Sequence, residues 1–334
     1  MKVAVVYNRP ESGIPESEDV LIEIEMVTAS IQELGYLSQT FPFGPEREAP
    51  LQILAALHDY APDAIFNLVE SIGDDQRLYP AAAALFELAE YPYTGSPFEA
   101  LLTTTDKALT KGLLSLHGIP TPPWQQYRGA IERVTVPPPF IIKPAWEDAS
   151  VGIDDSSLIR DPEDLLPKLS ALFLRHRRQP ILIEQFIDGA EFNVSLLERP
   201  DGSLEVLPLA EMVFHDWPED KPRIVNYRAK WDKESFEYRH TIRRFDPPSM
   251  PLEKIRDIGI RCWDAFLLRG YARIDMRLDR QNNPYVIEVN TNPCISQDAG
   301  FMAAAHEAGY QPKDVIDRML KAALREMSGW KTSS

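Results

Sequence analysis

The sequence predicts an α/β protein, because short buried strands alternate with amphipathic helices in its first hundred residues. Residues 3–7 and 64–69 are apolar runs of the length expected for buried strands. Residues 18–34 carry apolar side chains at helical spacing, and Gly35 follows where a helix commonly ends. Residues 78–89 predict a further helix. Such repeated strand–helix units indicate a parallel sheet with right-handed crossovers.

The composition is that of an acidic globular chain with room for two domains or three small ones. The chain has 334 residues, with 35 Lys and Arg against 51 Asp and Glu, so its formal net charge is −16. Because such a chain repels phosphate backbones, we expect no nucleic-acid partner. Cys262 and Cys294 are too few for a disulfide framework or a zinc site. With no long apolar run and no signal-peptide core, we expect a cytoplasmic protein without a membrane partner.

The rest of the chain mixes strands and helices after a proline-rich connection at 118–123. The elements predicted by apolar spacing are a strand at 140–142, a helix at 162–176, a strand at 181–186, a strand pair around 201–202, and helices at 298–308 and 312–327. Residues 215–240 are polar and aromatic without periodicity, so we expect a long functional loop there. The sequence has no GxGxxG, GxxxxGK[ST] or GxSxG motif and no HxxxH or HxH pair. The usual sequence support is therefore missing for a dinucleotide oxidoreductase, a P-loop NTPase, a serine hydrolase and a histidine-ligated zinc enzyme.

The most informative segment is a predicted hairpin of two alternating strands, 271–278 and 284–290. The polar residues between the strands suit a turn. Pairing Asp279 with Pro284 leaves a loop of four residues, 280–283. This pairing sets the register of the whole hairpin and gathers its polar side chains on one face.

In this register Asp275 lies opposite Glu288, and Arg273 lies opposite Asn290. Two facing carboxylates repel each other unless a cation neutralises them. Carboxylate and amide oxygens suit Mg²⁺, and Arg273 suits a phosphate or a developing oxyanion. A solvated strand face, on which Arg273 balances Asp275, stays open as the alternative.

Three lysines are candidates for phosphate contacts. Lys143 opens the small-residue loop 145–152, whose backbone N–H groups suit an approach to phosphates. Lys107 follows Asp106 at the start of a predicted helix, and Lys230 lies in the long loop. Each alone is also typical of an exposed lysine, and the loop alone is typical of a plain turn.

Two glutamates are candidates for nucleoside contacts. Glu184 lies in the strand at 181–186, and Glu191 follows seven residues later. An adenine bound between two domains needs an acceptor for its amino group, and a second carboxylate can hold ribose hydroxyls. Either glutamate alone is also typical of a surface residue.

In this order, these segments resemble the ATP-grasp superfamily, specifically its D-alanine–D-alanine ligase-like branch. The resemblance covers nearly the whole chain, from Lys2 to about Leu324. The segments that carry it are 93–96 (Tyr-Thr-Gly-Ser), 106–107 (Asp-Lys), 118–120 (Gly-Ile-Pro), 142–144 (Ile-Lys-Pro), 150–152 (Ser-Val-Gly), Glu184, 191–192 (Glu-Phe), 227–230 (Tyr-Arg-Ala-Lys), 273–275 (Arg-Ile-Asp) and 288–293 (Glu-Val-Asn-Thr-Asn-Pro). Each segment is modest alone, whereas the ordered set is specific.

The resemblance implies an ATP-grasp fold of three α/β domains. We expect an amino-terminal parallel-sheet domain at 1–104, a central domain at 105–189 and a C-terminal domain at 190–334. The last two would clamp ATP. Residues 215–240 would form the lid over the site, and the loop 145–152 would cover the phosphates.

The resemblance also implies roles for individual residues. The implied ATP contacts are Lys107, Lys143 and Lys230 on phosphates, Glu184, Phe186 and Ile187 on adenine, Glu191 on ribose and Ile287 under the purine. The implied ligands of two Mg²⁺ ions, for which Mn²⁺ can substitute, are Asp275, Glu288 and Asn290. The implied catalytic residues are Arg273 for the oxyanion, Lys230 for phosphate charge and Ser150 in the phosphate loop.

The activity implied is that of an ATP-dependent carboxylate–amine ligase that forms an amide through an acyl phosphate. Its partners would be small-molecule carboxylates and amines, and its default assembly a homodimer. One alternative is an authentic D-alanine–D-alanine ligase. The alternative from another class is an ATP-binding sensor or regulatory module without turnover.

The departures from the family pattern concern the amino-acid substrates. Ala149 and Ala299 stand where the family has serines, and Trp231 stands where it has a lid tyrosine. The amino-terminal loop also differs, so the glutamate that holds a substrate amine has no certain counterpart, although Glu18 and Glu23 are candidates. We expect changed substrates, with Glu70, Trp231 and Cys294 as candidate substrate contacts. The identity and stereochemistry of the substrates are not predicted.

Overall fold

In this computed structural model, which describes residues 1–10, 13, 15–73 and 75–331, the chain forms three sheets around one cleft. The first sheet is parallel, and the other two are antiparallel. Each sheet draws its strands from one of the three segments predicted as domains. We therefore retain those domain boundaries as a proposal.

The amino-terminal sheet has the predicted parallel strand–helix pattern, in the order β2-β1-β3. Its strands are β1 (Lys2–Asn8), β2 (Leu37–Phe43) and β3 (Ala64–Leu68), and its helices are α1 (Pro15–Glu33), α2 (Ala49–Tyr60), α3 (Pro80–Leu88) and α4 (Phe98–Thr105). Gly35 adopts a φ of 76° just after α1, a conformation that glycine reaches without strain. The ends of β1 and β3 meet at one edge of the sheet, which faces the cleft.

The central sheet is antiparallel, in the order β4-β7-β5-β6. Its strands are β4 (Trp124–Tyr127), β5 (Phe140–Pro144), β6 (Leu158–Ile159) and β7 (Ile181–Gln185), and its helices are α5 (Lys107–Leu116) and α6 (Leu165–Arg175). The predicted strands and the predicted helix of this region are thereby confirmed. The Asp106 side chain caps α5 by accepting from the Ala108 N–H at 2.8 Å.

The C-terminal sheet is antiparallel, in the order β11-β10-β8-β12-β13 with β9 beside β8. Its strands are β8 (Glu191–Glu198), β9 (Leu204–Val206), β10 (Ala210–Phe214), β11 (Thr241–Phe245), β12 (Tyr271–Leu278) and β13 (Pro284–Asn290). Its helices are α7 (Tyr227–Trp231), α8 (Phe236–His240), α9 (Leu252–Ala265), α10 (Gly300–Glu307) and α11 (Pro312–Lys331). The prediction of an unbroken loop at 215–240 was wrong, because α7 and α8 lie within it. None of the helices in the described part of the chain is long and apolar enough to cross a membrane.

The two last helices pack back onto the amino-terminal sheet and so fix the walls of the cleft. Val3 and Phe66 of that sheet share one core with Tyr271 of β12, Phe301 of α10 and Met319 of α11. All five side chains are at most 1% exposed. Burying a large apolar side chain stabilises a fold by about 1.5–3 kcal/mol, so this shared core holds the amino-terminal and C-terminal sheets together.

The β12–β13 hairpin has the predicted register only near its open end. Asp275 pairs with Glu288, as predicted, but Leu278 rather than Asp279 pairs with Pro284. The predicted four-residue loop was therefore wrong, and the loop has five residues. The difference is a β-bulge that inserts Ile287 into β13. Because of it, Ile287 and Glu288 both line the cleft, which strict alternation would forbid.

Candidate active site

Apart from Glu23, every residue selected from the sequence for the site lines a single cleft of about 1120 Å³. The walls of the cleft come from the ends of β1 and β3, the start of α5, the loop 145–152, the connection from β7 to β8, the lid and the β12–β13 hairpin. Small-molecule sites are commonly about 300–1,000 Å³, so this cleft has room for a nucleotide and a further ligand. The shared location supports the residue set, and the individual roles remain predictions.

Positive charge concentrates around Glu288 near the end of β13. Lys107 Nζ lies 3.3 Å from Glu288 Oε1 and 2.8 Å from Asp148 Oδ1. Burial alone would raise the pKa of Glu288, but the charges of Lys107, Lys230 and Lys143 outweigh burial and hold the pKa at about 2. Three lysines gathered at one place in this way suit a polyanion such as a triphosphate.

Asp275 shares this face of the hairpin and is held by three side chains. Arg273 donates from Nε and Nη2 to its two carboxylate oxygens at 2.8 and 2.9 Å. The side-chain amides of Asn193 and Asn290 donate to the same carboxylate at 2.7 and 3.2 Å. Because the Asn290 nitrogen faces Asp275, its Oδ1 is available to a cation.

The donor set of this hairpin fits a hard divalent cation. Asp275, Glu288 and Asn290 offer oxygen ligands only, which is the preference of Mg²⁺. Over residues 1–10, 13, 15–73 and 75–331, no group of three or more His, Cys, Asp or Glu residues is placed to hold a metal. A site here therefore depends on the Asn290 amide and on oxygens from water or phosphate.

The region predicted to hold adenine begins at a buried carboxylate between two lysines. Glu184 is 1% exposed and forms ion pairs with Lys111 and, at 2.6 Å, with Lys143. Burial alone would raise the pKa of Glu184, but these two charges outweigh it and lower the pKa. Burial lowers the pKa of Lys111 to about 8. Lys111 was missed from the sequence, although it lies one helical turn after Lys107 in α5.

Arg277 of β12 fixes the connection between β7 and β8. It donates to the carbonyl oxygens of Ile187 and Gly189 at 2.7 and 3.0 Å, and to the Glu191 carboxylate at 2.7 Å. Its guanidinium also lies 4.7 Å from the centre of the Phe186 ring. Burial raises the pKa of Glu191, and the charge of Arg277 opposes this. Arg277 was also missed, although the alternation of β12 places it on the cleft face.

The loop 145–152 is strained and tied to the lid. Ala149 and Ser150 have φ values of 53° and 63°, which are costly for residues with a Cβ. Ser150 Oγ donates to the Val225 carbonyl at 2.9 Å, and Trp231 Nε1 donates to the Ala149 carbonyl at 3.0 Å. The loop and the lid are therefore joined through backbone carbonyl oxygens.

The amino-terminal wall of the cleft carries carboxylates. Glu23 is 2% exposed behind this wall and accepts from the Ile295 N–H at 2.6 Å, and burial raises its pKa to about 7. Burial, with the charges of Glu23 and Asp19, raises the pKa of Glu70 well above its usual value. Within the described residues, neither Glu23 nor Glu70 is ion-paired with a lysine or an arginine. Cys294 donates its thiol to Asp19 at 2.8 Å, and burial raises the pKa of that thiol strongly.

Two other candidate substrate contacts have structural partners of their own. Glu18 is exposed at the rim of the cleft and accepts from the Gly13 N–H at 2.8 Å. The Trp231 indole lines the cleft but is engaged with the Ala149 carbonyl. Ala299 precedes α10 and offers no hydroxyl. Of the amino-terminal carboxyl groups, Glu18, Asp19 and Glu70 line the cleft, whereas Glu23 lies behind it.

An ATP-grasp fold whose cleft gathers cations at one end and carboxylates at the other defines the class as an ATP-dependent, amide-forming ligase. The family model described as D-ala D-ala ligase C-terminus matches residues 115–321. The chain belongs to the D-alanine–D-alanine ligase family.

Relatives and solved structures agree with this assignment. A D-alanine–D-alanine ligase of Syntrophotalea carbinolica is 32% identical over 72% of each chain. An uncharacterised protein of Sinorhizobium fredii is 29% identical over 98% of each chain. The structure of a D-alanine–D-alanine ligase from Bacillus anthracis complexed with ATP aligns with a TM-score of 0.76, at 20% identity and over 99% of each chain. That last likeness shows the fold.

Proposed function

We propose that this ligase activates the carboxylate of an amino acid or an amino-acid-like donor and joins it to the amine of a second small molecule, with Mg²⁺. One observation carries the proposal. The hairpin face places Glu288, surrounded by three lysines, beside Asp275 and Arg273. Groups suited to a triphosphate, a divalent cation and an oxyanion therefore share one surface.

In the first step, the γ-phosphoryl group moves from ATP to a carboxylate oxygen of the donor, giving an acyl phosphate and ADP. Lys107, Lys143 and Lys230 neutralise the phosphate charge. Glu184 and Glu191 would hold the nucleoside, and Arg277 keeps their connecting segment in position. Bound Mg²⁺, held by the carboxylates of the hairpin and the Asn290 amide, would supply further charge neutralisation.

In the second step, the neutral amine attacks the acyl carbon. The tetrahedral intermediate carries an oxyanion, to which Arg273 donates. Its collapse forms the amide and releases phosphate with the oxygen that came from the carboxylate, and the proton lost from the amine leaves with that phosphate. Because acyl phosphates hydrolyse, the lid and the loop 145–152 exclude water during both steps.

The carboxylates of the amino-terminal wall suit the ammonium group of the donor. Glu70 and Asp19 line the cleft there, and Glu23 lies behind them. Because burial raises the pKa of Glu70 and of Glu23, a cation that binds beside these carboxyl groups would favour their ionised forms. A wall of this kind supports a donor that is an amino acid with a free amine.

A narrower alternative is an authentic D-alanine–D-alanine ligase, which the family membership supports. Three departures from the family pattern favour other substrates, because each changes a group that the resemblance assigns to the substrate site. They are Ala149, Trp231 and Ala299. A sensor without turnover is disfavoured by Arg273, since binding of ATP alone needs no oxyanion donor.

The test is ADP release with Mg²⁺-ATP over D- and L-amino acids, singly and in pairs, with mass detection of products. Donors labelled with ¹⁸O in the carboxylate are expected to pass one labelled oxygen into the released phosphate. D-Alanine alone giving its dipeptide would favour the narrower alternative. ATP binding without any amide product across the panel would overturn the proposal and favour the sensor.

A further inference from the structure

The ammonium group of Lys107, at the start of α5, is fully engaged by the protein itself. Its Nζ donates to the Glu147 carbonyl oxygen at 2.6 Å and to Asp148 Oδ1 at 2.8 Å, and it lies 3.3 Å from Glu288 Oε1. An ammonium group has three N–H donors, so these three acceptors use all of them. Burial alone would lower the pKa of Lys107, but the charges of Asp148 and Glu288 outweigh burial and raise it. A phosphate therefore reaches this ammonium only by displacing one of the three acceptors.

The three acceptors differ in how readily they move away from Lys107. Glu288 belongs to β13, whose backbone is paired with β12. The Glu147 carbonyl oxygen moves only together with the backbone of the loop 145–152. The Asp148 side chain is 34% exposed, so it can rotate into water. The Asp148 N–H donates to Gln76 Oε1 at 2.6 Å, which holds the backbone in place while the side chain rotates. Asp148 is therefore the acceptor that an entering phosphate displaces at the lowest cost.

The carboxylate of Asp148 also places negative charge on the path of a negative ligand. Asp148 lines the same cleft as Lys107 and the other two lysines selected for phosphate contacts. While it is bound to Lys107, it neutralises one of the three positive charges that suit a triphosphate. A carboxylate and a phosphate seek the same donors of a lysine, so the two groups compete for one position.

We propose that Asp148 competes with the phosphates of ATP and ADP for Lys107 and thereby weakens nucleotide binding, as an autoinhibitory contact within the phosphate loop. Nucleotide entry then exchanges one anion for another at Lys107 and frees the Asp148 side chain. The inference rests on the phosphate contact proposed for Lys107 and adds its competitor within the chain. It needs no amide formation, so binding measurements test it whichever substrates the ligase joins.

The test is calorimetric titration of ATP, ADP and adenosine, with Mg²⁺, into the wild-type protein, Asp148→Asn and Asp148→Glu. We expect Asp148→Asn to lower the Kd for ATP and for ADP about 5- to 20-fold, as for removal of a partly exposed charged competitor. Its Kd for adenosine should not change, because adenosine carries no phosphate to reach Lys107. Asp148→Glu keeps the charge and should bind ATP much as the wild type does.

Glu147→Gln is the matched control, because it removes the same charge from the neighbouring position of the loop. The Glu147 carboxylate accepts from Gln179 at 2.6 Å, whereas its contact with Lys107 uses the backbone carbonyl oxygen and survives the substitution. Any gain in ATP affinity in this variant measures the general effect of one negative charge. A gain in Asp148→Asn that is absent, or no larger than in Glu147→Gln, would overturn the inference. Weaker ATP binding in Asp148→Asn would also overturn it and would indicate that Asp148 binds the cation.

Lys107→Met separates failure of this inference from failure of the role proposed for Lys107. The substitution should weaken ATP binding, and in its presence Asp148→Asn should give no gain beyond that of Glu147→Gln. If Lys107→Met weakens binding but the gain from Asp148→Asn persists beside it, the competition is refuted and the phosphate contact stands. If Lys107→Met leaves the Kd for ATP unchanged, the phosphate contact fails and the competition fails with it.

Discussion

Replacing Glu23 by glutamine should remove a pH-dependent loss of stability. The Glu23 carboxyl is buried behind the amino-terminal wall, and burial raises its pKa from 4.5 to about 7, with the hydrogen bond from Ile295 opposing and the charge of Asp19 assisting. Between these two pKa values, the native protein keeps the proton and the unfolded chain has lost it. The contribution of Glu23 to the unfolding free energy is therefore complete below pH 4.5 and is lost as the pH rises to about 7.

The size of this loss follows from the same two values. At about 1.4 kcal/mol for each pH unit between them, the wild-type protein loses about 3 kcal/mol of unfolding free energy through Glu23. Glutamine keeps an oxygen for the Ile295 N–H and cannot ionise. The advantage of Glu23→Gln over the wild type should therefore grow by about 3 kcal/mol from acid to neutral pH and then stay constant.

Urea unfolding of both proteins across this pH range checks the expectation. Glu25→Gln is the matched control, because Glu25 lies two residues along α1 and is exposed. Its effect should not vary with pH in this way. A Glu23→Gln advantage that is independent of pH, or that shrinks as the pH rises, would refute the reasoning. A donor ammonium bound at Glu70 should flatten the wild-type profile, because a nearby cation favours the ionised carboxylates.

Three further predictions concern the other parts of the cleft. Glu288→Gln should abolish amide formation, because the amide lacks the charge needed at the cation centre, and should lower the unfolding midpoint, because the surrounding lysines lose their carboxylate; ADP release and thermal unfolding measure the two effects. Arg277→Met should destabilise the protein by about 3–5 kcal/mol, because Glu191 loses its buried partner. The same substitution should weaken ATP binding. Urea unfolding measures the loss of stability, and calorimetry measures the affinity for ATP. Trp231→Phe should increase ADP release per amide formed, because loss of the bond to Ala149 admits water; product analysis measures this ratio.

Each of these has an outcome that would count against it. Full turnover in Glu288→Gln would contradict the metal assignment, and an unchanged product ratio in Trp231→Phe would contradict the role of the lid bond. For Arg277, the control is Arg280→Gln, whose ion pair with Asp188 is exposed and should contribute little. Adding Glu191→Gln to Arg277→Met should restore part of the stability, so strictly additive losses would be inconsistent with a coupled pair.

The helices and strands that could be predicted from the sequence are those with a regular pattern of apolar residues. α1 has a regular apolar stripe, and β3 is buried along its full length. β2 was not predicted, because five of its seven residues are exposed and it shows no apolar run. The short helices α7 and α8 were missed for a different reason. Each has five residues and begins at a capping side chain, Asn226 or Ser235, rather than from apolar periodicity.

The site was predictable where function requires a certain residue type at a certain place along the chain. The lysines and hairpin carboxylates satisfied that condition and all line the cleft. Lys111 and Arg277 did not, because their contacts join segments far apart in the chain, such as Lys111 with Val286.

The inserted residue in β13 has a consequence for how this strand can change over time. One extra residue lets a single strand present Ile287 and Glu288 to the cleft from the same side, where we propose that they meet the base and the cation. Whether both side chains face the cleft then depends on the number of residues in the strand. Side-chain replacements at either position alter one contact at a time. A deletion of one residue would instead turn one of the two side chains away from the cleft. The number of residues in β13 is therefore more constrained than the type of residue at either position.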